Sequence, residues 1–210
     1  MHVKTNVSFA YTEEDYGIHN SSAGGVVGYN YGNIKNCSFD GVMQALLPQT
    51  SFVGGIVGYQ SRCSITACSA KVSIIAEDAQ GYLGGVIGIS NGCNTVESCY
   101  TQGEIIGFAD AGSIVGDLEN NRYSGTILNC YSLMEIEMHG NLGRYRYWTE
   151  ELSYSLLDML SQYSSPINLA QIMKANCSSS AYWDYSKTRT WAGEVNGQSV
   201  TVICPTLPWE

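Results

Sequence analysis

Gly54-Gly55-Ile56-Val57-Gly58-Tyr59 occurs three more times along the chain. It returns as Gly24-Gly25-Val26-Val27-Gly28-Tyr29, as Gly84-Gly85-Val86-Ile87-Gly88 and, in worn form, as Gly112-Ser113-Ile114-Val115-Gly116. A second element trails each copy: Ile34-Lys35-Asn36-Cys37-Ser38, Ile65-Thr66-Ala67-Cys68-Ser69, Val96-Glu97-Ser98-Cys99-Tyr100 and Ile127-Leu128-Asn129-Cys130-Tyr131. The cysteines at 37, 68, 99 and 130 are 31 residues apart, and the glycine pairs begin 30, 30 and 28 residues apart. A fixed period of this size marks a repeat architecture.

Helical repeats of similar period need apolar residues three and four apart on two helices. Here short runs of Val, Ile, Tyr and Thr alternate with Gly, Asn, Ser and Asp clusters, which is strand chemistry. The expected fold is therefore all-β: a parallel β-solenoid, or β-helix, of about three short strands per turn and about four to five coils. A right hand follows from the general preference of parallel crossovers, and a small helical C-terminal cap completes the fold. Equivalent residues of successive coils stack roughly 4.8 Å apart. That makes columns of Ile34/Ile65/Val96/Ile127, Cys37/Cys68/Cys99/Cys130, Val26/Ile56/Val86/Ile114 and Val27/Val57/Ile87/Val115. Only stacking can bury them.

The isoleucine and cysteine columns lie three residues apart, which on a flat strand would put them on opposite faces. A corner at Asn36, Ala67, Ser98 and Asn129 turns both inward, and Asn suits the left-handed backbone such a corner needs. The flanking glycines serve tight corners or close backbone approach.

These motifs resemble the GLUG repeat over residues 24 to about 138, and the ending through Trp183, Trp191 and Pro205-Thr206-Leu207-Pro208-Trp209-Glu210 resembles the way such arrays close. The resemblance implies a large secreted or surface-attached bacterial protein. Adhesin-like proteins and the non-catalytic region of IgA-specific metallopeptidases carry such repeats. Gly112-Ser113 and the long gap before Cys130 depart from the pattern, so the last coil fits it least.

The organisation expected is residues 1–23 as the end of a preceding coil, 24–140 as repeats and 141–210 as the C-terminal cap. Val3 to Phe9 occupies the place of Val42 to Leu47, so the chain starts partway through a turn and reads as a fragment of a longer protein. In the cap, Thr149 starts a helix with Glu150 and Glu151 in its first turn, where negative charge suits the helix dipole. Leu152, Leu156, Leu157, Leu160 and Tyr163 form its apolar face. Ser165-Pro166 begins a shorter helix with Ile167, Ile172 and Met173. Both helices are expected over the open end of the stack, with the tail returning as irregular strand.

The net charge of −9 argues against nucleic acid and anionic membranes, which need basic patches. There is no apolar run near 18 residues and no leading h-region. Of the eight cysteines, the four in column read as a thiol ladder, and Cys63 and Cys93 form a shorter column. Cys177 and Cys204 are the best candidate disulfide.

His2, His19 and His139 are scattered, so no metal site and no cofactor is expected. No nucleophile elbow or phosphate loop occurs, and Asp40, Glu77, Asp78, Asp110, Asp117 and Glu119 read as turn residues outside any one column. No catalytic residue is assigned. Tyr29, Tyr31, Tyr59, Tyr82, Tyr100, Tyr123 and Tyr131 belong to a set of 15 tyrosines suited either to ladders between coils or to a binding surface. Arg144 to Trp148 is an aromatic-basic run that either anchors the cap or offers a platform. The candidate ligand-binding residues are Tyr29, Tyr59, Tyr145 and Trp148.

The function expected is a non-catalytic extracellular repeat module, an adhesion surface or rigid spacer tethered to further domains. Its partner would be a host or microbial glycan or protein. The alternative is a polysaccharide-active β-helix enzyme or the accessory region of a surface peptidase.

Overall fold

The computed structural model describes residues 1–4, 7–9, 21–45, 50–76, 80–92, 95–107, 110–118, 125–138, 149–151, 156–176, 183–195 and 197–209. Strands β1 (His2–Lys4) and β2 (Val7–Phe9) precede the first repeat. Coil 1 comprises β3 (Ser21–Gly24), β4 (Val27–Asn30), β5 (Ile34–Lys35) and β6 (Ser38–Ala45). Coil 2 comprises β7 (Thr50–Gly54), β8 (Val57–Ser61), β9 (Ile65–Thr66) and β10 (Ser69–Ala76). Coil 3 follows with β11 (Gln80–Gly84), β12 (Ile87–Asn91), β13 (Thr95–Glu97) and β14 (Tyr100–Gly107). Coil 4 has β15 (Asp110–Gly112), β16 (Val115–Leu118), β17 (Thr126–Leu128) and β18 (Tyr131–Met138).

Like strands pair in parallel, so the stack has four sheets: β3-β7-β11-β15, β4-β8-β12-β16, one through β5-β9-β13-β17, and one through β6-β10-β14-β18. The chain is a parallel β-solenoid. Its four rungs make about three turns from first to last, slightly short of the four to five coils expected. Each turn has four strands where three were expected. The corner after the isoleucine column separates the two-residue strand β5, and its equivalents, from the long strand that follows.

That corner is where the spacing argument put it. Asn36, Ala67, Ser98 and Asn129 have φ of 53°, 51°, 54° and 53°, all in the left-handed region. Ile65, Val96 and Ile127 on one side and Cys68, Cys99 and Cys130 on the other are buried in one core with Val57, Ile87 and Val115. The thiols also have a polar role. Cys68, Cys99 and Cys130 Sγ donate to the carbonyls of Thr66, Glu97 and Leu128, two residues back, at 3.4, 3.3 and 3.4 Å. Burial pushes the Cys68 and Cys99 thiols well above their ordinary range. A Cys is thus a small apolar side chain that still satisfies a buried carbonyl.

The glycines hold the arc between the first two sheets. A Cβ on Gly24, Gly54 or Gly84 would stand 2.2, 2.0 or 1.8 Å from the carbonyl oxygen of Val27, Val57 or Ile87 in its own coil. A Cβ on Gly25, Gly55 or Gly85 would instead strike the carbonyl of Gly55, Gly85 or Ser113 in the next coil, at 2.4, 2.2 and 2.1 Å. This difference explains the worn fourth repeat. Gly112 is kept because its clash would be internal. Ser113 is accommodated because β15 is the last described rung of its sheet.

The N-terminal strands do extend the β6 sheet, in a different register from the one expected. Val3 pairs with Phe39 and Val7 with Met43, so Val3 does not stand at the place of Val42.

The C-terminal region departs most from expectation. Thr149–Glu151 forms β19, pairing with β17, and does not start a helix. The backbone groups along the open edge of β17 accept a fifth rung there. Helix α1 (Leu156–Gln162) buries Met159, while Leu152 lies outside the described residues. Helix α2 (Leu169–Asn176) starts later than Ser165-Pro166. Asn168 Oδ1 accepts the Gln171 N–H at 3.0 Å as its cap, while Ile167 bridges to Val202. The tail is an antiparallel hairpin of β20 (Asp184–Val195) and β21 (Gln198–Thr206), in continuous register from Thr188 on and shifted between Asp184 and Thr188.

The region meets the last coil through α1 and β18. Its main contact, however, is along a flank of the stack and not over its end. Tyr100, Tyr131, Leu133 and Ala67 share a second core with Met159, Ile167, Leu169, Met173, Trp183, Val202 and Leu207.

Candidate functional site

Two surfaces of the solenoid carry chemistry beyond packing. The first is the corner column, which the C-terminal region covers. Trp183 Nε1 donates to the Ser98 carbonyl at 3.0 Å and Trp209 Nε1 to the Asn36 carbonyl at 3.3 Å. Asn129 Nδ2 donates to the Asn176 carbonyl, and Asn176 Nδ2 to the Tyr131 hydroxyl at 3.1 Å. The buried Tyr100 hydroxyl donates to the Pro205 carbonyl at 3.2 Å and accepts from Arg189 Nε at 2.9 Å. Its ring meets Trp183 with centroids 5.1 Å apart. This surface is occupied by the chain itself. Tyr100 and Tyr131, which the sequence left between ladders and a binding surface, are fully buried here. Cys204, expected in a disulfide with Cys177, is a buried free thiol pushed up to about 12 by burial. Cys177 lies outside the described residues.

The second surface is open. Tyr29 on β4 and Tyr59 on β8 are in register and stack with ring centroids 4.2 Å apart and planes 10° apart. Tyr31 leans on Tyr29 at 5.1 Å and 46°. Tyr29 is 51% and Tyr31 71% exposed, whereas Tyr59 is half-buried. Behind them Phe52 on β7 contacts Tyr59 at 6.0 Å and stacks on Tyr82 of β11 at 5.9 Å. Register alone makes this run, because Tyr29 and Tyr59 follow the same glycine in consecutive repeats.

Amides frame the rings. Asn91 Nδ2 donates to the Tyr59 hydroxyl at 2.9 Å, and Asn30 Nδ2 to Gln60 Oε1 at 2.7 Å. The Tyr31 hydroxyl hydrogen-bonded beside it, then partial burial, hold the Tyr29 phenol above its ordinary value. The inter-coil ladder and the exposed platform are therefore the same residues. The stack fixes Tyr29, and the stacked end presents Tyr29 and Tyr31 to solvent.

Of the expected ligand residues, Tyr29 and Tyr59 are brought together; Tyr145, Trp148 and also Tyr123 lie outside the described residues. Arg62, at the corner after β8, was not singled out from the sequence. Its signal was available: Ser61-Arg62-Cys63 aligns with Asn91-Gly92-Cys93 through the 30-residue step. Asp40, Asp110 and Asp117 lie on strands rather than in turns and occupy three different sheets. Glu77, Asp78 and Glu119 lie outside the described residues. Among the described residues, no group of three or more His, Cys, Asp or Glu gathers at metal-binding distance, and no helix is long and apolar enough to cross a membrane.

Comparison with known proteins agrees with the repeat. No curated protein and no solved structure matches the chain. Two stretches, residues 19–42 and 52–75, match the GLUG motif. They cover the glycine arc, the corner and the start of the long strand in coils 1 and 2, and coils 3 and 4 continue the same register. Coils 1 and 2 of the solenoid thus carry GLUG motifs.

Proposed function

We propose that this chain is a non-catalytic repeat module of a larger bacterial surface or secreted protein. It acts as a rigid spacer that presents a recognition surface to a glycan or protein outside the cell. The observation that carries this reading is the Tyr29–Tyr31–Tyr59 edge. Two exposed aromatic rings are held by stacking on a backbone whose glycine arcs leave little room to move. Rigid, amphipathic rings give contact area at low entropic cost, which is why they recur at recognition surfaces.

The enzymatic alternative calls for carboxylates facing one another in a groove. Asp110 and Asp117 stand in coil 4 in register with Tyr82 and Ile89, with no carboxylate above them, whereas the exposed Glu104 and Glu135 are in register on β14 and β18.

A binding screen of purified 1–210 against immobilised glycans and matrix proteins, with product release followed in parallel, tests the reading. Saturable binding without turnover is the expected result. Turnover would overturn it and direct attention to the carboxylates.

A further inference from the structure

Tyr29, Tyr31 and Tyr59 share one edge of the stack, and what touches their rings is uncharged. Among the described residues Tyr29 meets Tyr31 and Tyr59, while Tyr59 also meets Phe52 and accepts from Asn91. Asn30 follows Tyr29 in the chain. Its Oδ1 accepts the Gly32 N–H at 3.2 Å, and its Nδ2 donates to Gln60. Tyr59 covers one face of Tyr29 at 4.2 Å, so the exposed part of Tyr29 is its other face and its rim. Tyr31 stands against that ring at 46° and is more exposed still.

A second observation lies beneath Asn30. Gln60 is fully buried and its Oε1 takes the Asn30 amide, yet its Nε2 has no hydrogen-bond partner among the described residues. A buried donor without an acceptor is costly and rare. Asn30 and Gln60 are in register on β4 and β8, which brings this spare donor to the base of the tyrosine edge.

The surroundings choose between kinds of ligand. A chain of net charge −9 repels anions, and no guanidinium or ammonium contacts the three rings to capture one. A cation would find ring faces but no carboxylate in contact with them to offset its desolvation. A peptide anchor needs a packed, desolvated pocket, whereas Tyr29 and Tyr31 are half or more exposed. A neutral pyranose meets none of these obstacles. Its C–H face lies on the negative face of an aromatic ring, and its hydroxyls donate and accept as amides do.

We propose that Tyr29 and Tyr31, rimmed by Asn30, form a docking site for the neutral pyranose units of an uncharged polysaccharide. Tyr59 holds the platform from below, and a sugar oxygen reaching in beside Asn30 gives Gln60 Nε2 its acceptor. The site rests on the non-catalytic recognition reading above and gives it a ligand class.

The test titrates the 210-residue chain with two neutral hexasaccharides, cellohexaose and mannohexaose. A hexagalacturonate and a fully deacetylated chitosan hexamer serve as the anionic and cationic counterparts. Calorimetry and saturation-transfer NMR read binding, and a reducing-end assay runs alongside. At least one neutral sugar should saturate the protein about tenfold or more tighter than either charged hexamer, with little dependence on salt. Its pyranose C–H protons should receive the saturation. Tyr31→Ala should weaken binding about tenfold, and Tyr31→Phe, which keeps the ring, by no more than about twofold. Tyr163→Ala, which removes another exposed ring far from this edge in sequence, should leave affinity unchanged.

No saturable binding of either neutral sugar, equal or tighter binding of a charged hexamer, or binding that survives Tyr31→Ala would overturn the proposal. Capture of a matrix protein through Tyr29 and Tyr31 with no sugar bound would overturn it too, while leaving the recognition reading intact. New reducing ends together with the Tyr31→Ala loss would support the docking site and overturn the non-catalytic reading, so the two failures are distinguishable.

Discussion

At the scale of single residues, the stack tests each position against its own coil and its neighbour. Gly85 and Ser113 occupy equivalent places, yet a Cβ on Gly85 would lie 2.1 Å from the Ser113 carbonyl oxygen and 2.6 Å from Met134 Sδ. Gly85→Ala should therefore destabilise by about 3 kcal/mol. Ser113→Gly, which relieves no clash, should change stability by less than about 1 kcal/mol. Urea midpoints of the two variants check the contrast. Arg62→Gly should be neutral or up to about 1 kcal/mol stabilising, because glycine adopts φ near +55° without strain.

The buried thiols make a pH prediction. Burial raises the Cys204 pKa from its ordinary 9.0 to about 12 and also raises those of Cys68 and Cys99. A raised folded-state value means that the contribution is complete below pH 9. Above that pH the unfolded chain releases protons that the folded chain keeps. Stability should then fall as pH climbs from 9 toward 12, by about 1.4 kcal/mol per pH unit for each such thiol. Urea midpoints taken across that range should show the loss, and Cys204→Ala should make it shallower.

At the scale of elements, the hairpin β20–β21 and helix α2 function as a lateral strap. Their contacts reach coil 1 through Trp209, coil 3 through Trp183 and coil 4 through Asn176. Trp183 is 2% exposed between Tyr100 and the Ser98 carbonyl, so Trp183→Ala should cost about 3–5 kcal/mol. Tyr100→Phe keeps the ring and removes the hydroxyl that joins Pro205 and Arg189, and should cost about 1–2 kcal/mol. Thermal unfolding of both variants checks the order.

The strap was legible only in part. The Asn196-Gly197 pair is a strong hairpin signal, and Gly197 has φ +77°. It ends β20 and starts β21 with Val195 paired to Gln198. Thr149-Glu150-Glu151 carried a good helix-start pattern and lost to the open edge of β17. Strand pairing there satisfies several backbone groups at once, whereas a capping residue satisfies one.

At the scale of the whole molecule, stability is expected to be close to a sum of neighbour terms between coils, with the flank covered by the strap. Removing residues 141–210 would bare Tyr100, Tyr131, Leu133 and Ala67 together. The truncated chain should keep its β circular dichroism, bind a hydrophobic dye strongly and elute as aggregates, whereas the full chain should do neither. The sequence by itself determined the solenoid, the in-register columns and the left-handed corner at Asn36, Ala67, Ser98 and Asn129. Equal spacing forces like residues on to one another, and every coil must then solve the same backbone problem. Tertiary structure alone decided that a turn has four strands, that the strap lies along a flank, and which tyrosines are hidden. Tyr100 and Tyr29 read alike as members of a tyrosine-rich repeat. Tyr100 is buried by Pro205, 105 residues away, through a contact that no period carries. Tyr29 stays open because its partner is Tyr59, the next turn of the same repeat.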